Sequence, residues 1–402
     1  MPASHYITAA TVALAFGLSA PDAVAQSKYD PGASDKVIKI GNMVPYSGPA
    51  SAYGSIGKSA AAYFRKINED GGVNGRKIDF ISVDDGYSPP RTVEMARRLV
   101  EKDEVLFILN PLGTATNLAI RKYMNAKKVP QLFVASGAST WNNPGEYPWT
   151  MGWQPSYQTE GVIYAKHILQ TRPNARIAVL YQNDDYGKDY LQGLKMGLGD
   201  KANMIVAEAS YETSDPTVDS QVVQLQGSAA DVFFNIATPK FAAQAIRKAY
   251  DSGWKPVQFV NNVSSSIGAV LTPAGLDKSL GLLSVQYLKD PNDKAWADDP
   301  GMMEWRAVMT RYAPDVDLKD TSAIIGYSVA QTMVQVLKQC GNVLTRENVM
   351  KESANIRDFV LPLALPGIRV NTSPGDFAPI KQLQMIRFDG KQWNRFGEIL
   401  SR

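Results

Sequence analysis

At 402 residues the chain is too long for one ordinary core, so two domains are expected. With 45% hydrophobic and 20% charged residues it is not a disordered chain. Forty-two Lys and Arg against thirty-nine Asp and Glu leave a net charge of +3, and no basic run or nucleic-acid motif is present.

A short apolar run at residues 7–18 precedes Ala23-Val24-Ala25, an A-x-A cleavage pattern. Residues 1–25 therefore read as an export signal, although no Lys or Arg precedes the run; a disordered tail is the other reading. The run is too short to span a bilayer as a helix. The single cysteine, Cys340, cannot form an internal disulfide, and no cysteine follows the signal to carry a lipid. A periplasmic location is expected, with Cys340 as a buried structural thiol.

Residues 37–41 begin the first strand and feed a loop rich in Gly, Pro and Ser. Ile56, Ala60, Tyr63, Phe64 and Ile67 then mark one face of a helix from about Ser55. Gly71-Gly72 ends it and Asn74-Gly75 turns the chain into a strand at 78–83. Pro89-Pro90 starts the next helix. Strands at 105–109 and 129–135 flank a helix at 115–126, with loops at 110–114 and 136–143. A second series alternates helices near 158–169, 188–198, 218–225 and 240–252 with strands near 176–181, 204–207, 232–236 and 257–261. Residues 280–290 begin a return segment, 300–312 and 322–339 read as helices, and Asp389-Gly390 turns a terminal hairpin. This is an α/β chain with two doubly wound parallel-sheet lobes. The expected first lobe is 36–154 plus 285–374 and the second 155–284 plus 375–402, joined by a multi-strand hinge.

Catalytic constellations are sparse. Of the two histidines, His5 falls in the signal and His167 lies mid-helix, with no nucleophile elbow to use it. No Cys/His spacing suits zinc. Asp84-Asp85 and Asp184-Asp185 at strand ends could hold a cation, act as acid and base, or cap the following helices. The loops are better suited to an anion. Residues 110–116 run straight into a helix whose free N–H groups would face a cleft, and Ser136-Gly-Ala-Ser-Thr140 offers hydroxyls and close backbone approach. Ordinary N-capping is the competing use of both. Trp141, Trp149 and Trp153 either stack an aromatic ligand or pack the hinge.

Specific stretches then accumulate: Ile40-Gly41, Tyr46-Ser-Gly-Pro49, Tyr53-Gly54, N-x-x-G-G-V-N-G-R over 68–76, Asp84-Asp85, the serine loop, and Asn183-Asp-Asp-Tyr-Gly187. Over about residues 36–400 the chain resembles the branched-chain amino-acid-binding (Leu/Ile/Val) family of periplasmic binding proteins, the receptor components of ABC importers. The resemblance implies a type I periplasmic binding protein fold, no enzymatic activity and no cofactor. It implies a monomer that captures a small amphiphilic carboxylate, an aromatic acid or a branched-chain amino acid, between hinged lobes and delivers it to membrane permease subunits. Carried over by position, the carboxylate would meet Leu112, Gly113 and Thr114, then Ser136, Gly137, Ala138 and Ser139; Tyr53 and Tyr186 would clamp the body. The second-lobe strand ends bring Asn235, where a third aromatic is expected, and Asn262, in a run where amino-acid binders place an acidic residue. That run holds no carboxylate, which argues against an α-ammonium group. A sensor of the same fold and a hydrolase using Asp84 or Asp185 are the rival readings.

Overall fold

A computed structural model describes residues 1–3 and 28–401; the export signal expected over 1–25 falls, from residue 4 onward, outside the described residues. Fourteen strands are described. A two-residue pairing joins β1 (Lys28–Tyr29) to β12 (Val343–Leu344). The first main sheet contains β2 (Val37–Val44), β3 (Lys77–Asp84), β4 (Phe107–Leu109), β5 (Gln131–Val134) and β6 (Thr150–Gly152), all parallel, in the order β3-β2-β4-β5-β6. The second contains β7 (Ile177–Gln182), β8 (Ile205–Tyr211), β9 (Val232–Ile236), β10 (Val257–Val260), β11 (Leu283–Gln286), β13 (Gln382–Phe388) and β14 (Trp393–Ser401). Its order is β14-β13-β11-β10-β9-β7-β8, with the terminal hairpin antiparallel at one edge.

Helices make the crossovers. The first lobe carries α1 (Gly54–Glu69), α2 (Pro89–Arg97) and α3 (Thr114–Lys127); the second carries α4 (Tyr157–Thr171), α5 (Asp185–Leu198), α6 (Asp219–Gly227), α7 (Pro239–Asp251) and the short α8 (Thr272–Ala274). The chain then adds α9 (Pro300–Tyr312), α10 (Ser322–Cys340) and α11 (Arg346–Ser353); α9 and α10 pack on α1. The chain thus passes between the lobes three times, after β6, after β11 and before β13. The central strands β4, β5 and β9 are buried throughout, as parallel strands covered by helices on both faces must be. The edge strand β6 and helix α11 have no counterpart in the sequence reading.

Two local features explain why the sequence folds this way. The N-x-x-G-G-V-N-G-R stretch is a structural clasp remote from the strand ends. Asn68 receives the Ile78 N–H at 2.7 Å and donates to the Ile78 carbonyl at 2.8 Å. The buried Arg76 donates to Ser34 O, Asn74 O, Tyr29 Oη and Asn342 Oδ1. Gly72, at φ +85°, would place a Cβ 2.1 Å from the Arg76 carbonyl oxygen, so no side chain fits there. The other feature is the crossing of α1 and α10, where Gly326 lies so near that a Cβ would sit 2.0 Å from the Ile56 carbonyl oxygen.

No helix among the described residues is long and apolar enough to cross a membrane. Cys340 is buried, which pushes its thiol up to about 12 and leaves it protonated at neutral pH.

Candidate functional site

The strand ends of both sheets face one another, and their loops close on a small cavity of about 30 Å³. Four tyrosines line it, Tyr53 and Tyr87 from the first lobe and Tyr157 and Tyr186 from the second, with Ile56, Leu112, Val263 and Ile325 as apolar walls. Gly113 and Thr114 supply the floor at the start of α3. Gly113 is the N-cap, at φ +100°, and has no side chain to accept from the first-turn N–H groups. Asn117 Nδ2 holds the Pro111 and Gly113 carbonyls at 2.9 and 2.7 Å, turning those oxygens away. What remains is a helix N-terminus with its positive end toward an apolar, aromatic chamber.

The lobes touch through specific bonds. Tyr53 Oη donates to the Val263 carbonyl at 3.0 Å. Ser139 gives its N–H and its hydroxyl to Asp189, at 2.9 and 2.7 Å. Asp320 accepts from Ser55 on one side and from Ser266, at 2.8 Å, on the other.

A model of the periplasmic binding protein family matches residues 37–392. The chain belongs to this family. Among its relatives, the leucine-specific-binding protein of Salmonella typhimurium is 24% identical over 341 residues, which is 82% of this chain and 86% of that one. A branched-chain amino acid ABC transporter protein from Thermus thermophilus, solved with bound valine, superimposes with a TM-score of 0.83 at 15% identity, covering 91% of this chain and 97% of that one. A solute-binding protein from R. palustris, solved with 4-hydroxybenzoate, gives 0.76 at 16% identity over 91% and 97%. The type I binding-protein fold expected from the sequence is the fold observed.

The cavity brings together five of the positions expected to contact ligand: Tyr53, Leu112, Gly113, Thr114 and Tyr186. Ser136 stands one bond behind them, its hydroxyl 2.7 Å from that of Thr114, and it also receives the Trp141 indole N–H at 2.9 Å. Gly137, Ala138 and Ser139 lie elsewhere. With Ser136 they line a larger hollow of about 440 Å³ along the hinge, shared with Trp141, Phe377 and Ile380. Ser139 serves the interlobe bond to Asp189. Asn235 is buried against the Ala242 carbonyl, and Asn262 donates its side chain to the Val285 carbonyl at 2.6 Å; neither lines the tyrosine cavity. Trp153 is fully buried, bonded to Thr332 at 3.2 Å and edge-on to Tyr287, so it packs the hinge.

Tyr87, Tyr157, Ile56 and Ile325 were not legible as site residues. Tyr87 directly follows Asp84-Asp85-Gly86 at a strand end, at φ +59°, and that position is the one signal that could have marked it.

The strand-end carboxylates are caps. Asp84 accepts from the N–H groups of Tyr46, Ser47 and Gly86. Asp85 accepts from Tyr87 N–H and Thr92 Oγ1, and Asp184 caps α5 through Tyr186 and Gly187. Among the described residues no group of three or more His, Cys, Asp or Glu could hold a metal. His167 sits between Phe259 and Phe396, away from the cavity, its pKa lowered by burial and then by Arg387.

A carboxylate in the second lobe is Glu160. It is buried and receives Tyr164 Oη and Tyr190 Oη at 2.8 Å each and the Asn262 N–H at 2.7 Å. Burial pushes its carboxyl up to about 7 despite these three donors. Its position on an amphipathic helix gave no sign that it was interior.

Proposed function

We propose that this protein is the extracytoplasmic receptor of an ABC importer and that it captures a small carboxylate with an aromatic or branched body in the interlobe cavity. The observation that carries the reading is the pairing of an uncapped helix N-terminus, at Gly113 and Thr114, with a chamber of four tyrosines contributed by both lobes. The N–H groups offer hydrogen bonds and partial positive charge to an anion, while the rings offer apolar surface and hydroxyl donors at low entropic cost. Among the described residues no Lys or Arg lines the chamber, so the helix end supplies the fixed positive field there. Closure around the ligand would create a two-lobe surface for permease subunits to read. The family, the expected signal and the leucine-, valine- and 4-hydroxybenzoate-binding relatives support a periplasmic transport role.

Thr114→Ala is expected to weaken carboxylate binding about tenfold or more. The variant removes the hydroxyl at the helix start and frees Ser136 of a partner, and a hydrogen bond to a charged group is worth about 1.5–3 kcal/mol. Titration calorimetry of the mature protein against branched-chain and aromatic acids would check this. Unchanged affinity in Thr114→Ala would remove the carboxylate from the start of α3.

A further inference from the structure

Resting on the carboxylate-receptor reading, we propose that the preferred ligand is a carboxylic acid bearing a neutral oxygen, oxo or hydroxyl, where an amino acid bears its ammonium group. The cavity is built to donate. Tyr87 Oη accepts from Gln182 Nε2, whose amide is oriented because its oxygen receives Tyr211 Oη at 3.1 Å and its nitrogen reaches Asp184 at 2.6 Å. Tyr186 Oη accepts from Asn261 Nδ2. With its oxygen already receiving, the phenolic proton of Tyr87 has no acceptor among the described residues and is available to a ligand oxygen, whereas the Asn261 amide, whose oxygen has no donor, can turn over to accept from Tyr186.

Charged acceptors, by contrast, are taken. The Val263 carbonyl receives Tyr53. Carboxylates packed around the cleft include Asp85, Asp184, Asp189, Asp320 and Glu160, and none lines the cavity. Each already accepts two or more protein donors: Asp85 from Tyr87 and Thr92, Asp184 from Gln182, Tyr186 and Gly187, Asp189 from Ser139 and Gln158, Asp320 from Ser55, Ser266 and Ser322, Glu160 from its two tyrosines and Asn262. Burial raises the pKa of all five, which further weakens them as counter-charges. A lining acceptor without a donor is the neutral amide oxygen of Gln154. An ammonium group needs three acceptors and, once desolvated, a counter-charge; one amide supplies neither. An oxo or hydroxyl oxygen at the same place meets the waiting phenol of Tyr87.

Matched pairs test this: 4-methyl-2-oxopentanoate against leucine, and phenylpyruvate against phenylalanine, each titrated calorimetrically into the mature protein. The oxygen-bearing member of at least one pair is expected to bind a hundredfold or more tighter than its amino-acid partner. Tyr87→Phe should then reduce oxo-acid affinity about tenfold and shrink that ratio. Leucine or phenylalanine binding as tightly as its oxo partner would overturn the inference while leaving the carboxylate receptor intact. If no member of either pair binds, and benzoate and hydroxycinnamates also fail, the carboxylate reading falls and this inference with it.

Discussion

Gly326→Val is expected to destabilise the protein by about 3 kcal/mol or more and to weaken ligand capture at the same time. A Cβ at position 326 would lie 2.0 Å from the Ile56 carbonyl oxygen, and the contact is backbone, which cannot rotate aside. Relief requires α1 and α10 to separate. Helix α1 carries Ile56 into the cavity wall and follows directly from Tyr53, so separation moves two lining residues together. Valine adds the stiffness of a β-branched chain. Gly227 is the control: it ends α6 without a positive φ, and a Cβ added there would meet nothing within 4 Å, so Gly227→Ala should leave stability near that of the parent. Chemical denaturation of both variants checks the contrast. Equal midpoints for the two would mean the α1–α10 crossing tolerates expansion.

Glu160→Gln should flatten the dependence of stability on pH between about 4.5 and 7. The Glu160 carboxyl titrates near 4.5 when unfolded and is raised to about 7 by burial in the fold. Over that window the folded state holds a proton that the unfolded chain has released, so stability falls as pH rises. A shift of this size corresponds to about 3 kcal/mol. Glutamine keeps the shape and cannot ionise. Other buried acids, Asp290 among them at about 6, add slopes of the same sign, so the readout is the difference between variant and parent rather than either curve alone. That difference should grow in favour of Glu160→Gln from pH 4.5 to 8. A constant difference would show that Glu160 keeps one charge state throughout. The residue also grips the Asn262 N–H at the root of the loop that presents Val263 to Tyr53, so the same titration is expected to loosen or tighten the second-lobe wall.

Much of the architecture was readable because strand and helix periods are local. Residues 232–236 and 300–312 fall where apolar continuity and Pro300 put them. Strand β6 was not readable: Thr150-Met-Gly152 has no alternation, and only its neighbour β5 makes it a strand. The site divides in the same way. Tyr53, Gly113, Thr114 and Tyr186 sit beside strand-end loops with polar or Gly-rich signatures, and they converge. Ser139 carries the same local signature, yet the approach of α5 commits it to Asp189 instead. Ile325 and Tyr157 enter from helices distant in sequence, where an apolar residue looks like any core residue. Glu160 shows the limit most clearly, because only the packing of Tyr164 and Tyr190 over it makes its charge costly.

The cavity of about 30 Å³ has a further consequence. It admits one or two water molecules and no organic acid, so a solute must part Tyr53 from Val263 and Ser139 from Asp189 before it can enter. The shut conformer is therefore an intramolecular competitor of the cargo. If only about one molecule in a hundred stands ajar, apparent affinity is about a hundredfold weaker than the intrinsic value. Ser139 and Asp189, which do not line the cavity, would then help set the concentration at which capture begins, and trimming that latch would sharpen binding at scarcity without redesigning the recognition surface.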